Sequence, residues 1–322
     1  MVEVLRPDTA GLQIAARILR TGGVVGMPTE TVYGLAANAL DPDAIARIFA
    51  IKGRPADNPL IVHLASTDEL GRVVAEVTPL AARLAHHFWP GPLTLVLEAG
   101  PAVPSITTGG LATVAVRVPD HPVAAALLDA FGGPLAAPSA NRSGRPSPTT
   151  AAHVVADLGS DLAVVLDGGA CPVGVESTVV DARGTVPVVL REGSIAHEDL
   201  GVVTASADAS PQASPHLGAS PGTRYRHYTP RCEVELVAGG AGPARAAALS
   251  AEGRRVGLVA TAAAPDGVIE VARYLDVSGL AQQLYAALRD AELADVEVLV
   301  VESVPEVGVG RAVMDRLRRA AA

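Results

Sequence analysis

The sequence predicts a mixed α/β (α+β) fold divided into two domains, residues 1–203 and 232–322, joined by a linker at 204–231. Three observations support this prediction. Short apolar, strand-like runs alternate with helical patterns in both parts of the chain. The length of 322 residues suits two domains of the usual ~100–200 residues. Residues 204–222 are rich in Ala, Ser, Pro and Gly without periodicity, which is typical of a linker.

The first domain is predicted to contain a mixed sheet covered by helices. Asp8 is a suitable N-cap for a helix over residues 9–21, which Gly22 and Gly23 end. The last three strands follow one another at hairpin-like spacing, so the sheet is expected to be mixed. The patterns predict further helices over about 43–51, 79–88, 121–131 and 149–158, and strands over 24–27, 60–64, 93–97, 113–118, 135–138, 164–166, 177–180 and 188–191.

The second domain alternates strands and helices like a small, doubly wound, Rossmann-like α/β unit. It contains neither GxGxxG nor a P-loop, so its sequence marks no nucleotide site. Just before it, residues 221–230 (PGTRYRHYTP) hold two of the five tyrosines and two arginines, which predicts a segment that docks on another surface. The predicted strands are 234–237, 256–260 and 296–302, and the predicted helices are 242–252, 280–293 and 310–321.

Composition narrows the class of protein. The net charge of −9 and the pI near 5.4 argue against strong direct binding of nucleic acid, because that affinity comes mostly from a basic face. Cys171 and Cys232 lack the spacing of a zinc site and fit a reducing compartment. No apolar run approaches the ~18 residues that a membrane span needs. We therefore expect a soluble cytoplasmic protein without a membrane segment.

Lys52 is the one lysine in a chain whose other 24 basic residues are arginine. Lysine offers a compact point charge where arginine offers a planar fork, so a phosphate site can require lysine specifically. Arg54 and Asn58 follow within six residues, in a loop stiffened by prolines. The alternative is chance survival of a single lysine. His63, within the next strand, is equally well explained as a core histidine.

Further polar residues lie at or near the ends of other predicted strands. Taken singly, each is explained equally well as a polar turn, a helix cap or a buried side chain with a local partner. Taken together, they predict a cationic site at the strand ends for an anionic ligand such as a nucleotide. The sequence lacks GxSxG, HExxH, paired-carboxylate and Walker motifs, so chemistry there rests on positioning and charge. These residues are Thr31, Arg117, Ser139, Asn141, Ser147, Ser177 and Arg191.

The motifs PTETVYGL, KGRPADNPLIVH, SAN, ESTVV, LREG and PGTRYRHYTP occur in this order, followed near the end by GVGRAVMDRL. This series resembles the YrdC-like threonylcarbamoyl-AMP synthases, in their long, two-domain Sua-type form. The resemblance implies a twisted mixed sheet with a concave, positively charged cavity. It also implies that L-threonine, bicarbonate and ATP are converted to L-threonylcarbamoyladenylate and pyrophosphate, for use by downstream tRNA threonylcarbamoyl-transfer proteins.

The resemblance also assigns residues. Lys52 and Arg54 become catalytic residues that hold the ATP phosphates, and Arg117 becomes the partner of the substrate carboxylate. Mg²⁺ is expected to be held mainly by the ATP phosphates, with no metal ligand from the chain. The implied ATP-binding residues are Lys52, Arg54, Asn58, Thr113, Ser139, Asn141, Ser147, Arg191 and Tyr228, and the implied threonine-binding residues are Thr31, His63, Arg117 and Ser177.

Three alternatives stay open at this point. One is a YrdC-like RNA-binding or translation-associated module that makes no adenylate. Another is a relative of the YrdC-like domains in hydrogenase-maturation proteins, although the CxxC pairs of those proteins are missing from this sequence. The third is a plain α/β scaffold in which every motif is structural.

Overall fold

The computed structural model describes residues 2–204, 212–213 and 228–322. Most of the predicted linker, and residues 221–227 of the predicted docking segment, lie outside the described residues. Residues 228–230 of that segment are described.

The first domain is built on an eleven-stranded mixed sheet with the order β1-β8-β2-β3-β7-β4-β6-β5-β9-β10-β11. The neighbours β2–β3, β3–β7, β4–β7, β5–β6 and β9–β10 are antiparallel, and the other pairs are parallel. The strands are β1 (Glu3–Leu5), β2 (Val25–Met27), β3 (Gly34–Asn38), β4 (Ile61–His63), β5 (Leu93–Glu98), β6 (Thr113–Arg117), β7 (Leu135–Ala136), β8 (Val164–Leu166), β9 (Thr178–Asp181), β10 (Val188–Arg191) and β11 (Gln212–Ala213).

Helices pack on this sheet, and two of the five predicted helices begin at the predicted residue while the other three begin within two residues of it. Asp8 caps the first helix by accepting a hydrogen bond from the Gly11 amide at 2.9 Å. Proline occupies the first turn of the next three α-helices, where its missing N–H costs no hydrogen bond. The helices are α1 (Thr9–Arg20), α2 (Pro42–Lys52), α3 (Pro79–Phe88), α4 (Pro122–Phe131), α5 (Ala151–Leu158) and α6 (His197–Thr204), with a 3₁₀ helix at Thr67–Arg72.

The second domain is a four-stranded parallel sheet of order β12-β15-β13-β14 with helices between its strands. This confirms the predicted small Rossmann-like unit. No helix among the described residues is both long and apolar enough to cross a membrane. The elements of the second domain are β12 (Glu233–Val237), α7 (Gly242–Ala251), β13 (Val256–Ala260), β14 (Ile269–Arg273), α8 (Val277–Leu293), β15 (Val298–Glu302) and α9 (Gly310–Ala320).

The structure adds elements that the sequence patterns did not predict: β1, β3, the 3₁₀ helix, α6, β11 and β14. The largest difference is β3, because the sequence patterns predict no element between the strand over 24–27 and the helix over about 43–51. Instead, the chain turns after β2 and returns antiparallel to it, pairing Gly26 with Leu35. The small residues of this strand (GLAAN) carry little β-strand signal, and burial in the sheet decides its conformation.

The register of the sheet brings predicted site residues together. β4 and β6 run parallel, and His63 pairs with Arg117 at the carboxyl end of both strands. β7 runs antiparallel to β4, so the chain leaves β7 past Ile61, at the amino end of β4, whereas His63 and Arg117 lie at its carboxyl end. Polar side chains from sequence-distant loops are therefore brought to both ends of this short strand.

We predict that Gly193→Ala destabilises the fold, because a Cβ there would lie 2.1 Å from the Thr178 amide nitrogen. Backbone must move to relieve such a contact, which costs about 1–3 kcal/mol. The matched control is Gly184→Ala, whose nearest heavy atom lies at 3.9 Å. Thermal unfolding of both variants provides the measurement. Equal melting temperatures for the two variants would contradict the prediction.

Candidate active site

A cavity of about 670 Å³, including the space at its open mouth, lies along β4. It is lined by all the site residues predicted from the sequence except Lys52, Asn58 and Thr113. Those that line it are Thr31, Arg54, His63, Arg117, Ser139, Asn141, Ser147, Ser177, Arg191 and Tyr228.

Arg117 is buried at one end of the cavity. Its Nη2 forms an ion pair with Glu30 Oε1 at 2.5 Å, and its Nη1 donates to Thr31 Oγ1 at 2.9 Å. Its Nε donates to the carbonyl oxygen of Gly91 at 3.1 Å. Burial alone would raise the pKa of Glu30, but the charge of Arg117 and the amide of Asp120 lower it. The buried Arg117 therefore has an ionised partner within the protein.

His63 lies beside Arg117 as a neutral imidazole. Burial, followed by the positive charge of Arg117, lowers the pKa of His63 to about 3. Its Nδ1 lies 3.2 Å from the carbonyl oxygen of Ile61, which can only accept, so Nδ1 carries the proton. The other ring nitrogen is then an acceptor. The pair offers a cation and a neutral acceptor side by side, which suits a zwitterion.

Ser177 connects this end of the cavity to the other. Its hydroxyl lies 2.7 Å from Thr94 Oγ1. Nη2 of Arg191 donates to the Ser177 carbonyl oxygen at 2.9 Å and to its hydroxyl at 3.1 Å. These hydrogen bonds join Arg191 to Ser177, and both residues line the cavity.

Lys52 lies behind the cavity. Its Nζ donates to the carbonyl oxygens of Ser139 and Asn141, the latter at 2.6 Å. The ammonium is buried, and its burial together with the charge of Arg54 holds the pKa of Lys52 well below its usual range. In this structure Lys52 supports the loop that carries Ser139 and Asn141. Direct contact of Lys52 with phosphate stays a prediction.

Two other predicted residues also lie outside the lining. Asn58 is buried, and its carbonyl oxygen accepts a hydrogen bond from Arg54 Nε at 3.2 Å, which holds Arg54 against the cavity. Thr113 begins β6, opposite Glu98, whereas Arg117 ends that strand at the cavity. The strand length separates Thr113 from the site. Binding of ATP by Asn58 and Thr113 stays a prediction.

Glu176 is the acidic side chain among the described residues that line the cavity, and the sequence prediction missed it. Its Oε1 accepts from Ser147 Oγ at 2.7 Å, and its Oε2 accepts from Tyr285 OH at 2.8 Å and from Arg316 Nε at 3.1 Å. Burial opposes ionisation, but the charges of Arg316 and Arg191 and these hydrogen bonds lower the pKa of Glu176 to about 2. One signal could have pointed to Glu176, because a buried carboxylate needs a cation close to it.

Tyr228 closes the cavity between the two domains. It is buried, and its ring stacks on that of Tyr285 with the centroids 5.3 Å apart. The Arg316 guanidinium lies 5.6 Å from the Tyr228 ring centroid, within the range of a cation–π contact. The described end of the predicted docking segment therefore contacts the site. Binding of ATP by Tyr228 stays a prediction.

The fold and the cavity define a two-domain α/β protein with a cationic small-molecule site. Residues 17–193 match the family model of the Sua5, YciO and YrdC proteins, described as "Telomere recombination". Residues 194–322 match the model described as "Threonylcarbamoyl-AMP synthase, C-terminal domain". The chain therefore belongs to the Sua5/YrdC family, in its two-domain form.

Individual relatives support this assignment over nearly the whole chain. The threonylcarbamoyl-AMP synthase of Pyrococcus abyssi is 44% identical and covers 96% of this chain and 93% of its own length. That of Bacillus subtilis is 43% identical, with 95% and 92% covered. The crystal structure of P. abyssi Sua5 complexed with L-threonine has a TM-score of 0.89 at 43% identity and covers 96% of this chain and 94% of that chain.

We predict that Glu176 makes stability depend on pH in the acid range. Its pKa falls from an ordinary 4.5 to about 2, so its stabilising contribution is present above pH 4.5 and is lost as the pH falls toward 2. The shift corresponds to roughly 3 kcal/mol. In urea unfolding between pH 6 and 2.5, Glu176→Gln is expected to flatten this dependence, whereas the exposed control Glu76→Gln leaves it intact. The same slope in both variants would count against Glu176.

Proposed function

We propose that the protein is an L-threonylcarbamoyladenylate synthase, which converts L-threonine, bicarbonate and ATP to threonylcarbamoyl-AMP and pyrophosphate. One observation carries the proposal. A single cavity has a pocket suited to an amino acid at one end, and cations and small polar groups line its other end. The relatives that match the whole chain are named for this activity. The product would pass to downstream proteins that transfer the threonylcarbamoyl group to tRNA.

The threonine end is built around Arg117, whose planar fork suits a substrate carboxylate. The acceptor nitrogen of His63 and the hydroxyls of Thr31 and Ser177 surround the position that a threonine amine and hydroxyl would take. Holding the carboxylate at Arg117 leaves the amine as the reactive group of the substrate. The P. abyssi relative has been crystallised with L-threonine, which supports this choice of amino acid.

The ATP end is built around Arg54, Arg145 and Arg191, which all line the cavity. Ser139, Asn141 and Ser147 add hydroxyl and amide groups suited to phosphate, ribose or base. These cations face a cavity and not an open surface, which favours a small nucleotide over the RNA-binding alternative.

The chemistry follows from this arrangement. The threonine amine adds to bicarbonate, and water leaves, giving an N-carboxylate. An oxygen of that carboxylate then attacks the α-phosphorus of ATP, a P–O bond forms, and pyrophosphate leaves with the electrons of the broken bond. The arginines stabilise the negative charge that develops on the phosphates. No protein nucleophile is required, which agrees with the absence of such motifs from the sequence.

Mg²⁺ is expected to enter with ATP, bound to its phosphates, and to neutralise charge on the leaving pyrophosphate. The residues at the cavity fit this mode of binding. Glu176 already engages both of its carboxylate oxygens with Ser147, Tyr285 and Arg316. The described residues contain no cluster of three or more His, Cys, Asp or Glu side chains arranged for a metal. The phosphates are therefore the proposed ligands.

The proposed function predicts that pyrophosphate release by the purified protein requires ATP, Mg²⁺, L-threonine and bicarbonate together. Each component is omitted in turn, and pyrophosphate is measured with a coupled assay. L-Serine serves as the matched control substrate, since it lacks the methyl group of threonine, and is expected to support slower release. Release that persists without threonine and bicarbonate would exclude the proposal.

We also predict that Lys52→Arg raises the KM for ATP at least about tenfold. The bulkier guanidinium cannot make the same two contacts with the Ser139 and Asn141 carbonyls in a closely packed interior, so the loop must shift. Steady-state kinetics with varied ATP tests this expectation. Arg47→Lys, a reverse swap at an exposed position of the same helix, is the control. Equal KM values for both variants would show that Lys52 is dispensable.

A further inference from the structure

We infer that the C-terminal domain builds one wall of the ATP site. Helix α8, through Tyr285, Arg289 and Glu292, fixes the segment 145–147, which we call the wall segment. Arg145 and Ser147 of this segment line the cavity. The identity of the ligand rests on the proposed function, whereas the positioning role rests on the contacts themselves.

Helix α8 contacts Arg145 and Pro146 of the wall segment directly and reaches Ser147 through Glu176. Arg145 Nη2 donates to Glu292 Oε2 at 2.7 Å. The carbonyl oxygen of Pro146 accepts from Arg289 Nη2 at 2.5 Å. Ser147 is reached through one intermediate, because Glu176 accepts hydrogen bonds from both Ser147 and Tyr285. The helix therefore holds both side chains and the backbone between them.

The three helix residues occur at spacings of four and three, which places them on one face of α8. All three side chains are buried in the interface, with relative exposures of 0% for Tyr285 and 5% for Arg289 and Glu292. Asp157 completes the charge balance by pairing with Arg289 at 2.8 Å and with Arg145 at 3.1 Å. Desolvated, alternating charges of this kind fix one register of the helix against the wall.

Close backbone packing holds the helix at this distance. Gly174, just before Glu176, has φ +80°, and a Cβ there would lie 2.4 Å from the Ala281 carbonyl oxygen of α8. Val32, which lines the cavity, shares a hydrophobic cluster with Tyr285. At Gly174 the backbone of the loop that carries Glu176 therefore packs directly against the backbone of α8.

This arrangement sets the polarity that the cavity presents. An ionised carboxylate only accepts hydrogen bonds, so the hydroxyls of Ser147 and Tyr285 both donate to Glu176. Ser147 then turns the acceptor side of its oxygen toward a ligand. The ion pair and hydrogen bonds described for Arg117, by contrast, stay within the first domain. Disturbing α8 is therefore expected to weaken ATP binding and to leave threonine binding intact.

The test is Tyr285→Phe in the full-length protein, which removes one hydroxyl and keeps the ring that stacks on Tyr228. We expect the Kd for ATP and the KM for ATP to rise by about tenfold, the scale of a lost hydrogen bond to a charged group. The KM for threonine is expected to change little, and the melting temperature is expected to fall by only a few degrees, because buried Glu176 loses one of its hydrogen bonds. Tyr274→Phe, at another buried tyrosine of the same domain, is the matched control and is expected to bind ATP like the unaltered protein.

Two further variants separate positioning from general destabilisation. Glu292→Gln keeps the shape of the side chain but removes the charge that pairs with Arg145, and it is expected to weaken ATP binding in the same way. Combining Tyr285→Phe with Ser147→Ala is expected to be non-additive for the ATP Kd, because both act through Glu176. Full additivity, or equal loss for ATP and threonine, would overturn the positioning role.

Calorimetry measures ATP binding directly, so it tests this inference separately from the proposed function. Weaker binding in Tyr285→Phe than in Tyr274→Phe supports the inference even if no adenylate forms. Adenylate formation with identical ATP binding in both variants contradicts the inference and leaves the function standing. Absence of ATP binding to the unaltered protein overturns both.

Discussion

The structure depends on keeping Glu176 ionised in a nearly dry interior. Such a carboxylate is stable only when its oxygens receive hydrogen bonds and a cation lies close. Ser147 supplies one hydrogen bond from the catalytic domain, and Tyr285 and Arg316 complete the set from the C-terminal domain. Partners from both domains therefore meet at this carboxylate, and Tyr228 is buried against two of them, Tyr285 and Arg316.

The same constraint, a buried charge that needs a partner, also holds at the other end of the cavity, around Arg117. Arg117 is paired with Glu30 on one side and lines the cavity on the other, so its guanidinium is held in place at the cavity wall. His63 is kept neutral by burial and by that cation. In the proposed mechanism, this fixed cation beside a neutral acceptor discriminates between the carboxylate and the amine of an amino acid. The cavity would then contribute preorganised charge and no protein nucleophile to the reaction.

Local signals predicted most of the fold, and local signals together with the family resemblance named 10 of the 20 residues that line the cavity. The Asp8 cap and the bounds of α3 and β8 agree with the sequence, because caps, prolines and apolar runs act over a few residues. β3 was missed because the sheet, and not its own residues, decides its conformation. Glu176 was missed because its partners Tyr285 and Arg316 lie 109 and 140 residues away, and no local pattern records such a contact. Lys52 was singled out from the sequence because it is the one lysine, whereas its buried position behind the Ser139 loop depends on tertiary packing.

In the proposed reaction, the cavity binds the threonine carboxylate and leaves the amine to capture bicarbonate. Mass spectrometry of the nucleotide product formed from ¹³C-bicarbonate, threonine and ATP tests this orientation. We expect an intact adenylate that contains threonine and one labelled carbon, with the label in the carbamoyl group. An unlabelled threonyl adenylate, formed by attack of the threonine carboxylate itself, would contradict the orientation assigned to Arg117. AMP and pyrophosphate without any adduct would contradict the synthase activity as a whole.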